Sequence, residues 1–199
     1  MALERMYFNM VSTPSDINEH LYVLKNYTEK CSSVVECGVR SIVSSYAFAM
    51  GLRGRENKYY LVDPQKSPNI PRFLEMCAKE GVNATFYEQS DLDCPLVETD
   101  LLFIDTWHVY GQLKRELARW HASVKKYIIM HDTTVDEWQG ETLRVGWNPQ
   151  QQSQQTGIPV EEIIKGLWPA IEEFLKEHPE WKLEQRLTNN NGLTILSRV

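Results

Sequence analysis

Leu101-Leu102-Phe103-Ile104-Asp105-Thr106-Trp107-His108-Val109-Tyr110 decides the fold, and the rest of the chain is read outward from it. An unbroken apolar run, Leu101 to Ile104, reads as a strand buried on both faces, as in a parallel sheet. Asp105 then falls at the carboxyl end of that strand, where open α/β sheets bind their ligands. His108 follows in the same loop. A carboxylate there can hold a cation, and an imidazole near neutral pKa can take a proton. Taken alone, the stretch reads more simply as Asp105 capping a helix whose first turn packs His108. The flanking sequence shifts that balance.

The same pattern recurs on both sides. Downstream, Tyr127-Ile128-Ile129-Met130 is an apolar strand ending in His131-Asp132-Thr133-Thr134. Upstream, Ser33-Val34-Val35-Glu36-Cys37-Gly38 is strand, acid and glycine, followed by a turn and a helix over 46–52 that Ser44 or Ser45 can cap. Such a turn presents backbone N–H groups to a ligand, and glycine lets it approach. Val39-Arg40-Ser41-Ile42-Val43 fits neither the G-x-G-x-x-G fingerprint nor a phosphate loop, which argues against nucleotide-binding classes of those kinds. Lys58-Tyr59-Tyr60-Leu61-Val62-Asp63 is a second strand ending in an acid, which can bind ribose hydroxyls or sit in a turn before Pro64. Val82 to Tyr87 is a third strand, with Glu88-Gln89-Ser90-Asp91 at its end. Acids delivered repeatedly to one sheet edge point to a site.

Composition bounds the remaining choices. The chain has 199 residues, 42% hydrophobic and 24% charged, which suits one α/β domain with a full core. Its net charge of -6, without a basic cluster, argues against a nucleic-acid surface. Cys31, Cys37, Cys77 and Cys94 form no C-x-x-C pair and suit burial in a reducing compartment. No apolar run is long enough to span a membrane, and the first residues do not read as a signal peptide. The expectation is a cytoplasmic protein of one domain over 1–199.

Several further elements are expected. Thr13-Pro14-Ser15-Asp16 reads as a helix start, giving a helical N-terminal segment over 1–30 with its helix at 14–29. Residues 71–79 and 109–121 read as helices; in the latter Leu113, Leu117 and Trp120 point inward and Lys114, Arg115, Glu116 and Arg119 face water. Residues 136–157, with Trp138, Trp147 and a glutamine run, read as an irregular lid loop. A helix over 159–177 should kink or split near Leu167-Trp168, ahead of Pro169. Trp181 to Leu187 and Leu193 to Arg198, joined by Asn189-Asn190-Asn191-Gly192, form an antiparallel hairpin.

Val34-Val35-Glu36-Cys37-Gly38, Leu61-Val62-Asp63 and the Asp105 strand together resemble the class I S-adenosylmethionine-dependent methyltransferases. Within them, Phe103-Ile104-Asp105-Thr106-Trp107-His108-Val109-Tyr110 followed by His131-Asp132 is similar to an F-I-D-x-x-H-x-Y signature. That signature marks the metal-dependent O-methyltransferases related to macrolide-sugar methyltransferases and the cephalosporin-hydroxylase-like group. The resemblance covers about residues 30–199. It implies a Rossmann-like three-layer α/β sandwich with a seven-stranded, mostly parallel sheet closed by the C-terminal antiparallel hairpin. Many relatives carry a second glycine in the first loop, where this chain has Ile42-Val43, and Glu in place of His131.

The resemblance also implies site residues. Glu36, Gly38 and Ser44 would line the methionine end of S-adenosyl-L-methionine, Asp63 its ribose, Ser90 and Asp91 its adenine, with Asp105 beside it. Asp105, His131 and Asp132 would hold a divalent cation, Mg²⁺ or Mn²⁺, and His108 would be the general base. The expected activity is O-methylation of a sugar hydroxyl on a glycan or glycoside, a deoxyhexose such as rhamnose being one such acceptor. The expected partner is an acceptor with vicinal hydroxyls, with no nucleic acid and no membrane; a homo-oligomer is compatible with this. Trp107, Tyr110, Trp138 and Trp147 are candidates to pack on the acceptor or in the core. A catechol- or phenol-type O-methyltransferase and a non-catalytic cofactor-binding protein are the competing readings.

Overall fold

A computed structural model describes all residues, Met1 to Val199. In chain order the elements are α1 (Ala2–Ser12), α2 (Leu21–Thr28), β1 (Ser33–Cys37), α3 (Ser44–Leu52), β2 (Lys58–Val62), α4 (Ile70–Lys79) and β3 (Ala84–Tyr87). Then come β4 (Thr99–Ile104), α5 (Tyr110–Trp120), β5 (Val124–His131), α6 (Glu141–Arg144), α7 (Pro149–Thr156), α8 (Val160–Ile163), α9 (Trp168–Glu177), β6 (Trp181–Leu187) and β7 (Leu193–Arg198). The sheet has seven strands in the order β3-β2-β1-β4-β5-β7-β6. All neighbours are parallel except β7, which runs antiparallel to β5 and β6. The seven-stranded α/β sandwich closed by the hairpin is thus the observed fold. No helix is long and apolar enough to cross a membrane.

The core explains the order. All six residues of β4 are buried, because helices cover both faces of the sheet. Strand alternation splits the core in two. Val34, Leu101, Phe103 and Ile129 face α1 to α4, whereas Val35, Leu102, Ile104 and Ile128 face α5 and α9. The order reverses between β1 and β4, so their carboxyl ends open a crevice there, and Gly38 and Asp105 meet at its floor. The four cysteines are free and buried.

The structure departs from sequence expectation at several places. The first helix is α1, and residues 13–17 are irregular before a 3₁₀ turn, Asn18–His20, that leads into α2. Local bonds compete with a helix at 14: the Ser15 hydroxyl accepts the Asn18 amide at 3.0 Å and Asn18 Oδ1 accepts the Ser15 amide at 3.0 Å. Ser44 and Ser45 do not cap α3; they are its first residues, and their hydroxyls turn to Glu36. Glu116 does not face water but is buried, bonded by the Thr106 hydroxyl and the Gln112 amide. Residues 136–157 are only partly irregular: they hold two short helices, α6 and α7. Asn148 caps α7 by accepting the Gln150 and Gln151 amides, and Gly157 ends it with φ 72°. The helix expected over 159–177 is split into α8 and α9, with Pro169 in the first turn of α9.

Candidate active site

The crevice at the strand ends opens as a cleft of about 1020 Å³. That is at the top of the roughly 300–1,000 Å³ usual for a ligand site, so it has room for a cofactor and an acceptor together. Gly38, Ser44, Asp63, Ser90, Asp91, Asp105, His108 and Asp132 all line it.

Glu36 does not. It sits on the α3 side of β1, fully buried, and takes the hydroxyls of Ser44 at 2.5 Å, Ser45 at 2.8 Å and Tyr59. The reason is alternation: with Val35 and Cys37 packed against α5, the residue between them must point to the other layer. Glu36 therefore reaches the cleft through Ser44 rather than directly. Burial pushes its carboxyl up to about 7, against the pull of the three hydroxyls.

The first loop is drawn tight. Gly38 has φ 86°, and a side chain there would overlap the carbonyl of Asp105. Gly38→Ala should therefore cost about 2–3 kcal/mol, read as a lower melting temperature, and close the loop to ligand. Ile42 has φ 63°, the left-handed conformation that a glycine would favour. That costs about 1–2 kcal/mol, offset by burial of the isoleucine side chain. Asp63 Oδ2 accepts the Val39 and Arg40 amides at 2.9 and 3.0 Å, and Oδ1 accepts the Gln65 amide at 2.8 Å. Asp63 thus shapes the loop, and Oδ1 keeps a lone pair for a ligand. At the next strand end Asp91 lies against Glu116. Asp91 Oδ2 and Glu116 Oε2 are both buried without a hydrogen-bond partner, and burial together with the Asp91 charge holds Glu116 well above the usual carboxylate range.

The centre of the site is a histidine among acids. His108 Nε2 lies 3.1 Å from Asp105 Oδ1 and 3.1 Å from Asp132 Oδ2. Its Nδ1 lies 3.5 Å from both Asp136 Oδ2 and Glu141 Oε2. Burial alone would lower His108, but these carboxylates outweigh it and hold the imidazole well above its ordinary range. Burial would likewise raise Asp105, but His108 and His131 hold it well below the usual carboxylate range. Asp136 is fully buried and clamped by Arg144 Nε at 2.6 Å and a second guanidinium nitrogen at 2.8 Å. Asp136, Glu141 and Arg144 were not legible as site residues, because a turn brings them back to His108: the Asp136 amide donates to the Asp132 carbonyl at 3.0 Å.

His131 completes the group. Its Nε2 donates to the Asn190 carbonyl at 3.2 Å, which turns Nδ1 toward Asp105 at 3.5 Å and Asp132 at 3.3 Å. A neutral imidazole would aim a lone pair at two carboxylates. Something positive must lie between them, either a proton on His131 or a cation. Asp105, His131 and Asp132 offer ligand atoms within 4.8 Å of one another, and Asp132 Oδ1 is buried without a partner. The donor set fits a divalent cation. Asp132 has φ 57°, a strained backbone, and its Oδ2 meets His108 at 3.1 Å and His131 at 3.3 Å. The hairpin turn braces it: the Asn191 carbonyl accepts the Thr134 and Val135 amides.

The N-terminal segment closes one wall, which the sequence did not foretell. Ser15, Asp16 and Ile17 line the cleft, and Asn190 ties the segment to the hairpin turn through the Glu19 amide and the Ser15 carbonyl. Of the aromatic candidates, Trp107 and Trp147 line the cleft. Tyr110 instead packs in the core with its hydroxyl on Glu173, and Trp138 is exposed outside the cleft lining.

Strand order, hairpin and the cleft at the β1/β4 crossover define the Rossmann-like fold of the class I methyltransferases. No family model and no curated protein matches the sequence. Solved structures do match it in fold. A Staphylococcus aureus protein assigned as a caffeoyl-CoA O-methyltransferase is 15% identical, with 100% of this chain and 93% of that one aligned at a TM-score of 0.62. The Podospora anserina methyltransferase PaMTH1, solved with S-adenosylhomocysteine, is 16% identical over 100% and 88%, with a TM-score of 0.57. An O-methyltransferase from Bacillus cereus, also solved with S-adenosylhomocysteine, is 11% identical over 99% and 90%, with a TM-score of 0.58.

Proposed function

We propose that the protein is an S-adenosyl-L-methionine-dependent O-methyltransferase acting on a sugar hydroxyl that has a second hydroxyl beside it. The observation that carries this reading is the convergence of Asp105, His131, Asp132 and His108 at the strand edge of a methyltransferase fold. Gly38, Ser44, Asp63, Ser90 and Asp91 would hold the cofactor; Asp105, His131 and Asp132 would hold the divalent cation, Mg²⁺ or Mn²⁺. When bound, the cofactor supplies a methyl already activated on sulfur, and the cation acidifies the acceptor hydroxyl.

The chain's own residues do the remaining work. Asp105 and Asp132 hold a proton on His108 Nε2, which is why the imidazole lies well above its ordinary range. Neutralised by a cation, those two carboxylates would release it, so that Nε2 could then take the acceptor's proton while Asp136 and Glu141 face Nδ1 and keep its proton. Arg144 fixes Asp136, so the imidazole is held rather than free to rotate. With the cofactor held by Gly38, Ser44, Asp63, Ser90 and Asp91, its methyl would pass from sulfur to the deprotonated acceptor oxygen, and the cleft walls would supply the positioning that such a transfer needs. Trp107 and Trp147 offer flat faces to an acceptor ring.

A phenolic diol is the second reading. It is favoured by the fold shared with a protein assigned as a caffeoyl-CoA O-methyltransferase. Calorimetry tests the common ground. S-adenosylhomocysteine is expected to bind with or without EDTA, and Mg²⁺ or Mn²⁺ to give a separate event that Asp105→Ala abolishes. No S-adenosylhomocysteine binding in any condition sinks the methyltransferase reading.

A further inference from the structure

A second cluster of metal-ligating side chains lies at the opposite edge of the sheet. His121 follows α5 just ahead of the first residue of β5, so the whole length of β5 separates it from His131. His178 ends α9, and Glu180 precedes β6. The three come from the corner where the α5–β5 and α9–β6 connections meet, and none belongs to the cleft.

The three ligand atoms converge, and one pair of them, His178 Nδ1 and Glu180 Oε1, is hydrogen-bonded. Glu180 Oε1 lies 3.2 Å from His178 Nδ1 and 3.8 Å from His121 Nδ1. The ligand atoms all fall within 4.8 Å of one another. Tetrahedral zinc with bonds of about 2.0–2.1 Å places its ligand atoms about 3.3 Å apart, so small side-chain rotations close this triangle. The imidazole rings are 4.1 Å apart, and His121 Nδ1 is buried with no hydrogen-bond partner. That distance to Glu180 is too long for a hydrogen bond and spans a shared ion well. Phe174 packs on both imidazoles, which fixes their rings and excludes water from one side. The positive neighbour, Arg198, donates to the His121 carbonyl at 2.9 Å and lies over the Trp181 ring.

We propose that His121, His178 and Glu180 form a second metal site, independent of the cleft, that takes a borderline divalent cation of the zinc class. Two imidazoles and one carboxylate select zinc over the hard Mg²⁺ of an all-oxygen site. All three ligands are part-exposed, so the fourth position is open to water. Because it joins the connection before β5 to the connection before β6, the bound ion ties the hairpin end of the sheet to α5.

The probe is Zn²⁺ itself, titrated calorimetrically into the full-length protein and into an Asp105→Asn/Asp132→Asn background in which the cleft is silenced. The background protein should bind one equivalent. Zinc at about a hundredfold over Kd should raise its melting temperature by about 5–10 °C. Co²⁺ should give visible absorption of tetrahedral intensity. His178→Ala should remove that equivalent, and Glu180→Gln, a change of nearly the same volume at a part-exposed position, should weaken it at least tenfold. In the wild type the same substitutions should lower zinc stoichiometry by one and leave S-adenosylhomocysteine binding unchanged. If the background variant does not fold, that wild-type count decides. Absence of zinc binding in the folded background, or stoichiometry and affinity unmoved by both substitutions, overturns the site.

Discussion

His108→Ala is expected to slow methyl transfer by roughly 10²–10⁴-fold and leave S-adenosylhomocysteine affinity within about threefold. The split follows from placement. His108 Nε2 lies between Asp105 and Asp132 at the ends of β4 and β5, whereas Gly38 and Asp63 follow β1 and β2 and Ser44 opens α3. A sugar hydroxyl is a poor nucleophile at neutral pH, so losing the group that takes its proton falls on kcat rather than on cofactor binding. The substitution also leaves four carboxylates facing one another, so the variant without metal should melt lower and recover with Mg²⁺ or Mn²⁺. His108→Gln keeps most of the volume and should lose the same rate, and added imidazole should restore part of it in His108→Ala. Asp136→Asn, which lets the ring turn, should cost about 10–100-fold by the same assay. An acceptor series separates the competing readings. A phenolic diol already has an acidic hydroxyl, so its rate should fall far less than a sugar's. Equal, small losses on both acceptors would remove His108 as the base.

How far the sequence carries the site is instructive at particular residues. Asp105, His108, His131 and Asp132 were readable because each follows an unbroken apolar run, and parallel strands deliver such residues to one edge. Gly38 was readable because only glycine tolerates that approach to a neighbouring backbone. Asp136, Glu141 and Arg144 were hidden, since a turn and one helical turn, not a strand, bring them to His108. Helix α7 was hidden for another reason: glutamine is a good helix former, but a run of it has no apolar period. Its signals were the Asn148-Pro149 start and the Gly157 stop. The wall made by Ser15 to Ile17 needs contacts with a hairpin turn more than 170 residues away, which no local pattern encodes.

Glu36 shows the limit of reading a motif by position, and it carries the second large effect. An acid before the loop glycine reads as a ligand group, yet here it is a buried carboxyl whose partners are the hydroxyls of Ser44, Ser45 and Tyr59. Burial raises it first, and the charge on Asp105 adds to that. Its folded value of about 7 lies above its ordinary 4.5, so the protonated form is the one that folding favours. The stabilisation is complete below pH 4.5 and is lost as pH rises through about 7, a difference on the order of 3 kcal/mol. Glu36→Gln, neutral at every pH, should lack this loss. Relative to the wild type its melting temperature should rise by about 5–10 °C between pH 5 and pH 8. Glu36→Ala differs: it leaves three buried hydroxyls without their acceptor and a cavity beneath α3, costing on the order of 4 kcal/mol at pH 5. Because Ser44 both bonds Glu36 and lines the cleft, the alanine variant should also weaken S-adenosylhomocysteine binding, while the glutamine variant keeps it. If the glutamine variant tracks the wild type at both pH values, Glu36 is ionised in the folded protein. The hydroxyls would then be holding a charge in place, not a proton.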